Sequence, residues 1–360
     1  MKNLSSRIRK FLKSGVFYPY SKAYGEKAKG YVNLSSNESP YGPSPKVLAA
    51  LRKELKSLSL YPDPTSHDLR EELADFLDVP AECVLIGNGS DEIMSLAAMA
   101  FLNEGDTVFI PTPSFPVYEI VCRLYGGVPR FCQMPNFEWV GRMVEEVNGC
   151  KMAFVGRPNN PTGNVPPADF LEEVARRTGI LLIDEAYIEF SDDSSLASWA
   201  VSEENVLVLR TFSKAFGLAG LRVGYAVGSR RIIDILDAVR MPFNVNRLAQ
   251  AAAVTALQDL AYLNRVVRKI RAERERLFRE LMRLGLRPLP SQANFLMVNV
   301  SPWSMDAEKF SEALRARGIL VRSLQNFRGA GENFVRISVG SPAQNQKLLR
   351  ALRELRGENE

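Results

Sequence analysis

From about residue 45 to 245 the chain alternates short apolar, β-rich runs with stretches whose apolar residues recur at helical spacing. The runs "VLIG", "TVFIP", "KMAFVG", "GILLIDEA", "NVLVLRTF" and "GYAVG" read as strands, and "SDEIMSLAAMAFL" and "PADFLEEVARRTG" as the helices between them. Strands joined by helical crossovers predict a mostly parallel sheet with helices packed on it. One long helical tract is expected from Arg247 to Arg283. The rest reads strand, helix, strand, strand, helix in "NFLMVNV", "DAEKFSEALRARG", "ILVRSL", "FVRISVG" and "QNQKLLRALREL", a smaller α+β domain. The expected division is an N-terminal arm and part of the small domain over 1–44, a large ligand-binding domain over 45–245, and a linking helix with the small C-terminal domain over 246–360.

Length agrees with this division, because 360 residues exceed what one growing core accommodates. With 46% hydrophobic and 24% charged residues the composition is that of an ordinary globular protein. The net charge of +5 changes little: basic residues are scattered, and their local excess in "RVVRKIRAERERLFRELMR" is interleaved with glutamates, a pattern of solvated intrahelical pairs rather than of a nucleic-acid stripe. Four cysteines without a CxxC spacing and a single histidine, His67, argue against a zinc site and a disulfide scaffold, and His67 reads as structural. No apolar run approaches the ~20 residues of a membrane span and no signal peptide is visible. The basic, amphipathic "SSRIRKFLKSGVF" is expected to pack on the protein as an arm, and the expected location is the cytoplasm.

In an open α/β sheet, ligands bind beyond the carboxyl ends of the strands, so the polar residues there are the ones to collect. After "VLIG" comes "NGSDE", where the amides of Gly89, Ser90 and Asp91 face a phosphate at a helix N-terminus or merely form a capped turn. A dinucleotide fingerprint fails, since Glu92 stands where its third glycine should be. After "AFVG" comes "RPNNPTGN" with Asn160, and after "ILLI" comes "DEAY" with Asp184 and Tyr187. A carboxylate ending so apolar a strand is expensive unless a cation meets it. The fourth stretch, "RTFSKAFGLAGLRVGY", carries Thr211, Ser213, Lys214 and Arg222; two basic residues there snorkel from a loop or form a reactive amine beside an anion clamp.

One ligand asks for all of these groups together. Pyridoxal 5′-phosphate needs a lysine for its aldehyde, a carboxylate for its ring nitrogen, donors for its phenolic oxygen, and amides, hydroxyls and an arginine for its phosphate. Lys214, Asp184, Tyr187 with Asn160, and Thr211, Ser213 and Arg222 with the "GSD" amides fill those roles, and Phe115 in "PTPSFPVY" offers an aromatic face for the ring.

With "NESPYGPSP", "YPDP", "NPTG", "DEAY", "RTFSKAFGLAGLRVGY", "GILVRSL" and "FVRISVG", the chain resembles the pyridoxal-phosphate aminotransferases of the aspartate aminotransferase superfamily, fold type I, and within them the histidinol-phosphate branch. The resemblance implies transamination between L-glutamate and imidazole-acetol phosphate in histidine biosynthesis. It implies a homodimer in which Tyr61 serves the partner's cofactor, Arg336 as a fork for the substrate carboxylate, Arg322 for the substrate phosphate, and Asn37 as a substrate contact. Two departures stand out: "FYPYSK" lacks the glycine of the family's Tyr-x-Pro-Gly, leaving Phe17, Tyr18 and Tyr20 as alternatives for a substrate contact, and Phe115 replaces a common tyrosine. The same scaffold also serves threonine-phosphate decarboxylases and broad aromatic aminotransferases. A non-catalytic cofactor-binding regulator would need a DNA-binding module, for which the residues before "NLSSNESP" leave no room.

Overall fold

The computed structural model describes residues 3–18 and 30–357. Seven strands form the large sheet, in spatial order Val84–Gly87, Gly224–Val227, Val206–Thr211, Ile180–Asp184, Met152–Gly156, Thr107–Thr112 and Val128–Gln133. All run parallel except Gly224–Val227, which is antiparallel to both neighbours. Successive residues of one strand serve opposite cores: Ile180 and Leu182 pack with the helices Ser90–Phe101 and Arg230–Val239, whereas Leu181 and Ile183 pack with the helix Ala168–Arg177. Coverage on both faces is why these strands are apolar throughout.

Sequence reading missed the strand Val128–Gln133, "VPRFCQ". It is an edge strand, so five of its six residues stay at least partly exposed and Pro129 is tolerated without a ladder donor. The helical tract expected from 247 to 283 is two helices, Arg247–Leu257 and Leu260–Arg283. The break falls at Gln258 and Asp259, whose side chains leave the helix line to meet Glu72 at 2.5 Å and Lys46 at 3.6 Å. "ILVRSL" is likewise divided: Ile319–Leu320 pairs in parallel with Val32–Asn33, and Arg322–Ser323 joins a four-stranded antiparallel sheet with Phe334–Ser338, Phe295–Asn299 and Arg287–Pro288.

That antiparallel sheet packs with Leu277, Leu281, Phe310, Leu348 and Leu352 in a separate core, which Leu34 from the N-terminal segment enters. Its last helix, Pro342–Arg356, has a complete set of end signals: Ser341 and Gln344 form a reciprocal capping box, proline occupies the first turn, and Gly357 closes it at φ 81°. The arm helix Ser6–Lys13 lies on the large domain, where Lys10 pairs with Glu104 and Arg7 stacks on Tyr125 at 5.8 Å. His67 opens the helix His67–Leu77 on the surface, with Glu71 at 3.9 Å. Among the described residues no helix is long and apolar enough to cross a membrane, and no group of histidine, cysteine and carboxylate side chains is placed to hold a metal.

Candidate active site

The carboxyl ends of the large-sheet strands open onto a cavity of about 490 Å³, whose opposite wall comes from the small domain and from residues 35–38. Asp184 ends the fourth strand in spatial order and is buried. The Tyr118 hydroxyl donates to its Oδ2 at 2.7 Å, and the Ala186 amide donates to its Oδ1 at 3.1 Å. Burial raises its pKa to about 6, against those two hydrogen bonds that lower it. Tyr118 is held in turn by stacking on Phe154 at 4.9 Å and by an edge contact with Phe115 at 5.7 Å. Sequence reading missed Tyr118 although it took Phe115 from the same stretch; the available signal was a tyrosine on the apolar face of a short helix, where a buried hydroxyl requires a partner.

Lys214 follows the neighbouring strand Val206–Thr211 and projects into the cavity. Its Nζ donates to the Ser36 carbonyl at 3.4 Å and lies 5.8 Å from the Tyr187 ring centre. Burial first, then the positive charges of Arg336 and Arg222, lower its pKa to about 8, so a neutral amine is accessible near physiological pH. Tyr187 accepts from Asn37 Nδ2 at 3.0 Å, and burial raises its pKa to about 12, keeping the hydroxyl a donor. Asn37 is a hub as well as a lining residue: it adopts φ 55°, its amide donates to Ser338 Oγ at 2.8 Å, and Ser338 Oγ donates back to Asn37 Oδ1 at 2.9 Å.

At another part of the cavity, Ser90 and Asp91 begin the helix Ser90–Phe101, with Gly89 at the cap. Gly89 has φ 78°, and a Cβ there would fall 2.8 Å from Arg222 Nη2, so only glycine lets the arginine lie across this turn. Arg222 donates to Ser213 Oγ at 3.3 Å and to Asp91 Oδ2 at 3.2 Å, and Thr211 and Ser213 hydroxyls are 3.0 Å apart. A helix N-terminus, two hydroxyls and a guanidinium make a phosphate-shaped donor set.

The small domain contributes Arg322 and Arg336, directly opposite each other on adjacent antiparallel strands and both buried. Arg336 donates to Asn160 Oδ1 and to the Ser35 carbonyl, each at 2.7 Å, which fixes the guanidinium plane. Arg322 lies 6.0 Å from the Tyr18 ring, and Tyr18 in turn makes an edge contact with Phe115 at 6.4 Å. Tyr20 lies outside the described residues, Phe17 is exposed and absent from this cavity's lining, and Tyr18 is the aromatic of that group that lines it.

The structure thus brings all but two of the sequence-predicted residues into one cavity. Gly89 shapes it from behind the lining, and Tyr61 lies away from it, exposed and stacked on Phe243 at 4.6 Å. Sequence reading also missed two buried ion pairs just behind the site, Arg157 with Glu185 at 2.9 Å and Arg210 with Glu189 at 2.8 Å; each places a charge beside a site residue in sequence. The donor set fits pyridoxal 5′-phosphate: a buried carboxylate already turned inward, a lysine of lowered pKa, and an anion cup whose arginine rests on Gly89 share one cavity.

A sequence profile of the family described as "Aminotransferase class I and II" matches residues 29–352. The histidinol-phosphate aminotransferase 1 of Archaeoglobus fulgidus is 40% identical over 329 residues, covering 91% of this chain and 99% of that one. The crystal structure of the histidinol-phosphate aminotransferase from Sinorhizobium meliloti in complex with pyridoxal-5′-phosphate superposes with a TM-score of 0.85 at 28% identity, covering 99% of this chain and 100% of that one. The L-threonine-O-3-phosphate decarboxylase from Porphyromonas gingivalis superposes with a TM-score of 0.80 at 27% identity, covering 90% of this chain and 99% of that one.

Proposed function

This chain belongs to the class I and II aminotransferases, and from that premise we propose that it moves an amino group between L-glutamate and imidazole-acetol phosphate, forming 2-oxoglutarate and L-histidinol phosphate. It is an enzyme dependent on pyridoxal 5′-phosphate. The observation that carries the substrate assignment is the pairing of two buried guanidiniums, Arg322 and Arg336, in the cavity that holds Lys214. L-Histidinol phosphate has no α-carboxylate, and two adjacent arginines suit its dianionic phosphate as well as the carboxylate of glutamate.

When bound, the cofactor supplies an electron-withdrawing ring that accepts the electron pair released at the substrate Cα. Asp184, aligned by Tyr118, holds the proton on the ring nitrogen. Tyr187, oriented by Asn37, donates to the phenolic oxygen together with Asn160. Arg222, Thr211, Ser213 and the Ser90 and Asp91 amides hold the phosphate, and Phe115 covers the ring face. The Lys214 amine would hold the cofactor aldehyde and, once the substrate amine replaces it there, would act as general base, moving the proton from the substrate Cα to the cofactor's aldehyde carbon. Arg322 and Arg336 orient the substrate, and Tyr18 helps exclude water from the anion end.

We also infer a homodimer. Tyr61, Met241, Leu60 and Leu58 are exposed apolar side chains on neighbouring segments, with Tyr61 stacked on Phe243. Such a patch suits burial against a second copy, with Tyr61 delivered to the partner's cofactor. A fully active monomer in sedimentation at assay concentration would refute this.

The same scaffold in the P. gingivalis decarboxylase sets the discriminating experiment. L-Histidinol phosphate, L-threonine phosphate and L-phenylalanine are offered separately to the loaded enzyme, and keto product, carbon dioxide and loss of the cofactor's visible absorbance are followed. Keto product with a strong preference for L-histidinol phosphate is expected. Carbon dioxide from L-threonine phosphate, or preference for L-phenylalanine, would replace the assignment.

A further inference from the structure

Glu119 and Arg328 touch neither the carboxylate and lysine nor the anion cup, yet they join the two parts of the molecule from which the cavity is made. Arg328 lies in the loop between Arg322–Ser323 and Phe334–Ser338, so the hairpin that carries both buried arginines also carries it. Its Nε and Nη2 donate to Glu119 Oε2 and Oε1, each at 3.2 Å, and its guanidinium lies 4.2 Å over the Phe131 ring of the large sheet's edge strand. One residue on, the Gly329 carbonyl accepts from Gln133 Nε2 at 3.1 Å. Gly329 sits at φ 80°, and a Cβ there would fall 2.4 Å from Gln133 Oε1 and 2.9 Å from Thr112 Cβ, so the loop backbone rests directly on the large domain.

The acidic partner is anchored just as specifically. Glu119 follows Tyr118 on the helix Val117–Leu124, and Arg123 Nε holds its Oε1 at 2.8 Å from one turn away. The helix that presents a hydroxyl to Asp184 therefore also receives the loop of Arg322 and Arg336. A fork-to-fork pair with a stacked guanidinium fixes direction as well as distance, which a point charge does not.

We propose that Glu119 and Arg328 form a positioning clasp that sets the separation between the substrate-holding guanidiniums of the small domain and Lys214 of the large domain. The inference rests on the assignment of Arg322 and Arg336 to the substrate's anionic group. A substrate is held productively only in the closed arrangement, with its Cα within reach of the Lys214 amine, so opening the clasp lowers the fraction of competent enzyme and raises the apparent KM by that factor while the chemistry of the closed state is unchanged. Because Arg328 is half exposed, at 51%, the clasp can open and its effect is moderate.

The test uses the loaded full-length enzyme with L-glutamate as amino donor and the variants Glu119→Gln, Arg328→Gln and both together. Each single variant is expected to raise KM about five- to tenfold, ~1 to 1.4 kcal/mol, with kcat changed less than about twofold and the double variant no worse than either single one. Thermal midpoint and cofactor retention should match the wild type. Unchanged KM, multiplicative effects in the double variant, or a parallel fall in thermal midpoint and cofactor retention would overturn the clasp. Arg336→Ala separates the two readings: if it leaves KM for L-glutamate unchanged, the anion-clamp assignment fails, whatever the clasp variants do.

Discussion

Asp184 and Arg222 face the same cavity and are built in opposite ways. Asp184 is buried at the end of a central strand, and both of its oxygens already accept hydrogen bonds from the protein. Arg222 is on a loop in a left-handed conformation, φ 55°, its side chain 46% exposed and paired with the 48% exposed Asp91. The first arrangement is rigid and costly, because a carboxylate removed from water is destabilising until a cation joins it. The second costs little, because solvent screens the Arg222–Asp91 pair and a phosphate can displace the carboxylate. Chemistry is set where the protein is rigid, and affinity is added where it can rearrange.

The largest expected effects break the rigid end. Lys214→Ala should lower turnover by about 10⁴-fold or more while the anion cup still retains cofactor, and Asp184→Asn should lower it by about 10² to 10⁴-fold. Single-turnover rates, with cofactor occupancy measured after gel filtration, check both; comparable losses of rate and occupancy would show that the two ends are not separable. Borohydride reduction and peptide mapping provide an independent check, since labelling of a lysine other than Lys214 would displace it from its role.

An intermediate effect is expected at the rearrangeable end. Arg222→Lys keeps the charge and removes the fork, so cofactor affinity should fall about tenfold, ~1.4 kcal/mol, with kcat of the saturated enzyme nearly unchanged. Equilibrium titration of cofactor into the variant measures the first quantity and turnover at saturation the second. A large loss of kcat instead would place Arg222 with the rigid group.

The smallest effect is on stability. Burial lifts the Asp184 pKa from 3.8 to about 6, so the stability attached to its protonated form is present below about pH 3.8 and lost as pH rises through about 6. Burial lowers that of Lys214 from 10.5 to about 8, so the stability of its neutral form is present above about pH 10.5 and lost as pH falls through about 8. Both groups are thus charged between about pH 6 and 8, and the cofactor-free protein is least favoured there by these two residues. Asp184→Asn should stabilise cofactor-free protein by a margin that grows between pH 4 and 6 and then levels, read as a shift of a few degrees in Tm. A margin independent of pH would contradict the raised pKa.

The contrast between the two ends also explains what was legible in the chain. Asp184, Lys214 and the strands behind them announce themselves, since charged residues that end apolar runs are improbable without a partner. Tyr118 does not, because a tyrosine in an amphipathic helix is an ordinary core residue until a buried carboxylate is found 2.7 Å away. The strand Val128–Gln133 stayed hidden for a related reason: an edge position relaxes the demand for apolar side chains, and Pro129 imitates a loop. The clasp was invisible altogether, as Glu119 and Arg328 are 209 residues apart and nothing local marks either one.

The bond from the Asn37 amide to Ser338 Oγ spans 301 residues, and on the same short segment Leu34 pairs with both Leu320 and Ser338. During synthesis, therefore, the chain emerges with one part of that cavity wall first and the rest of the same wall almost last. Tyr187, Phe212 and Ala215, which flank Asp184 and Lys214, share one core with Val245, Ile270, Phe295 and Val339, so the strand ends that carry the carboxylate and the amine are also fully packed only when most of the chain is made.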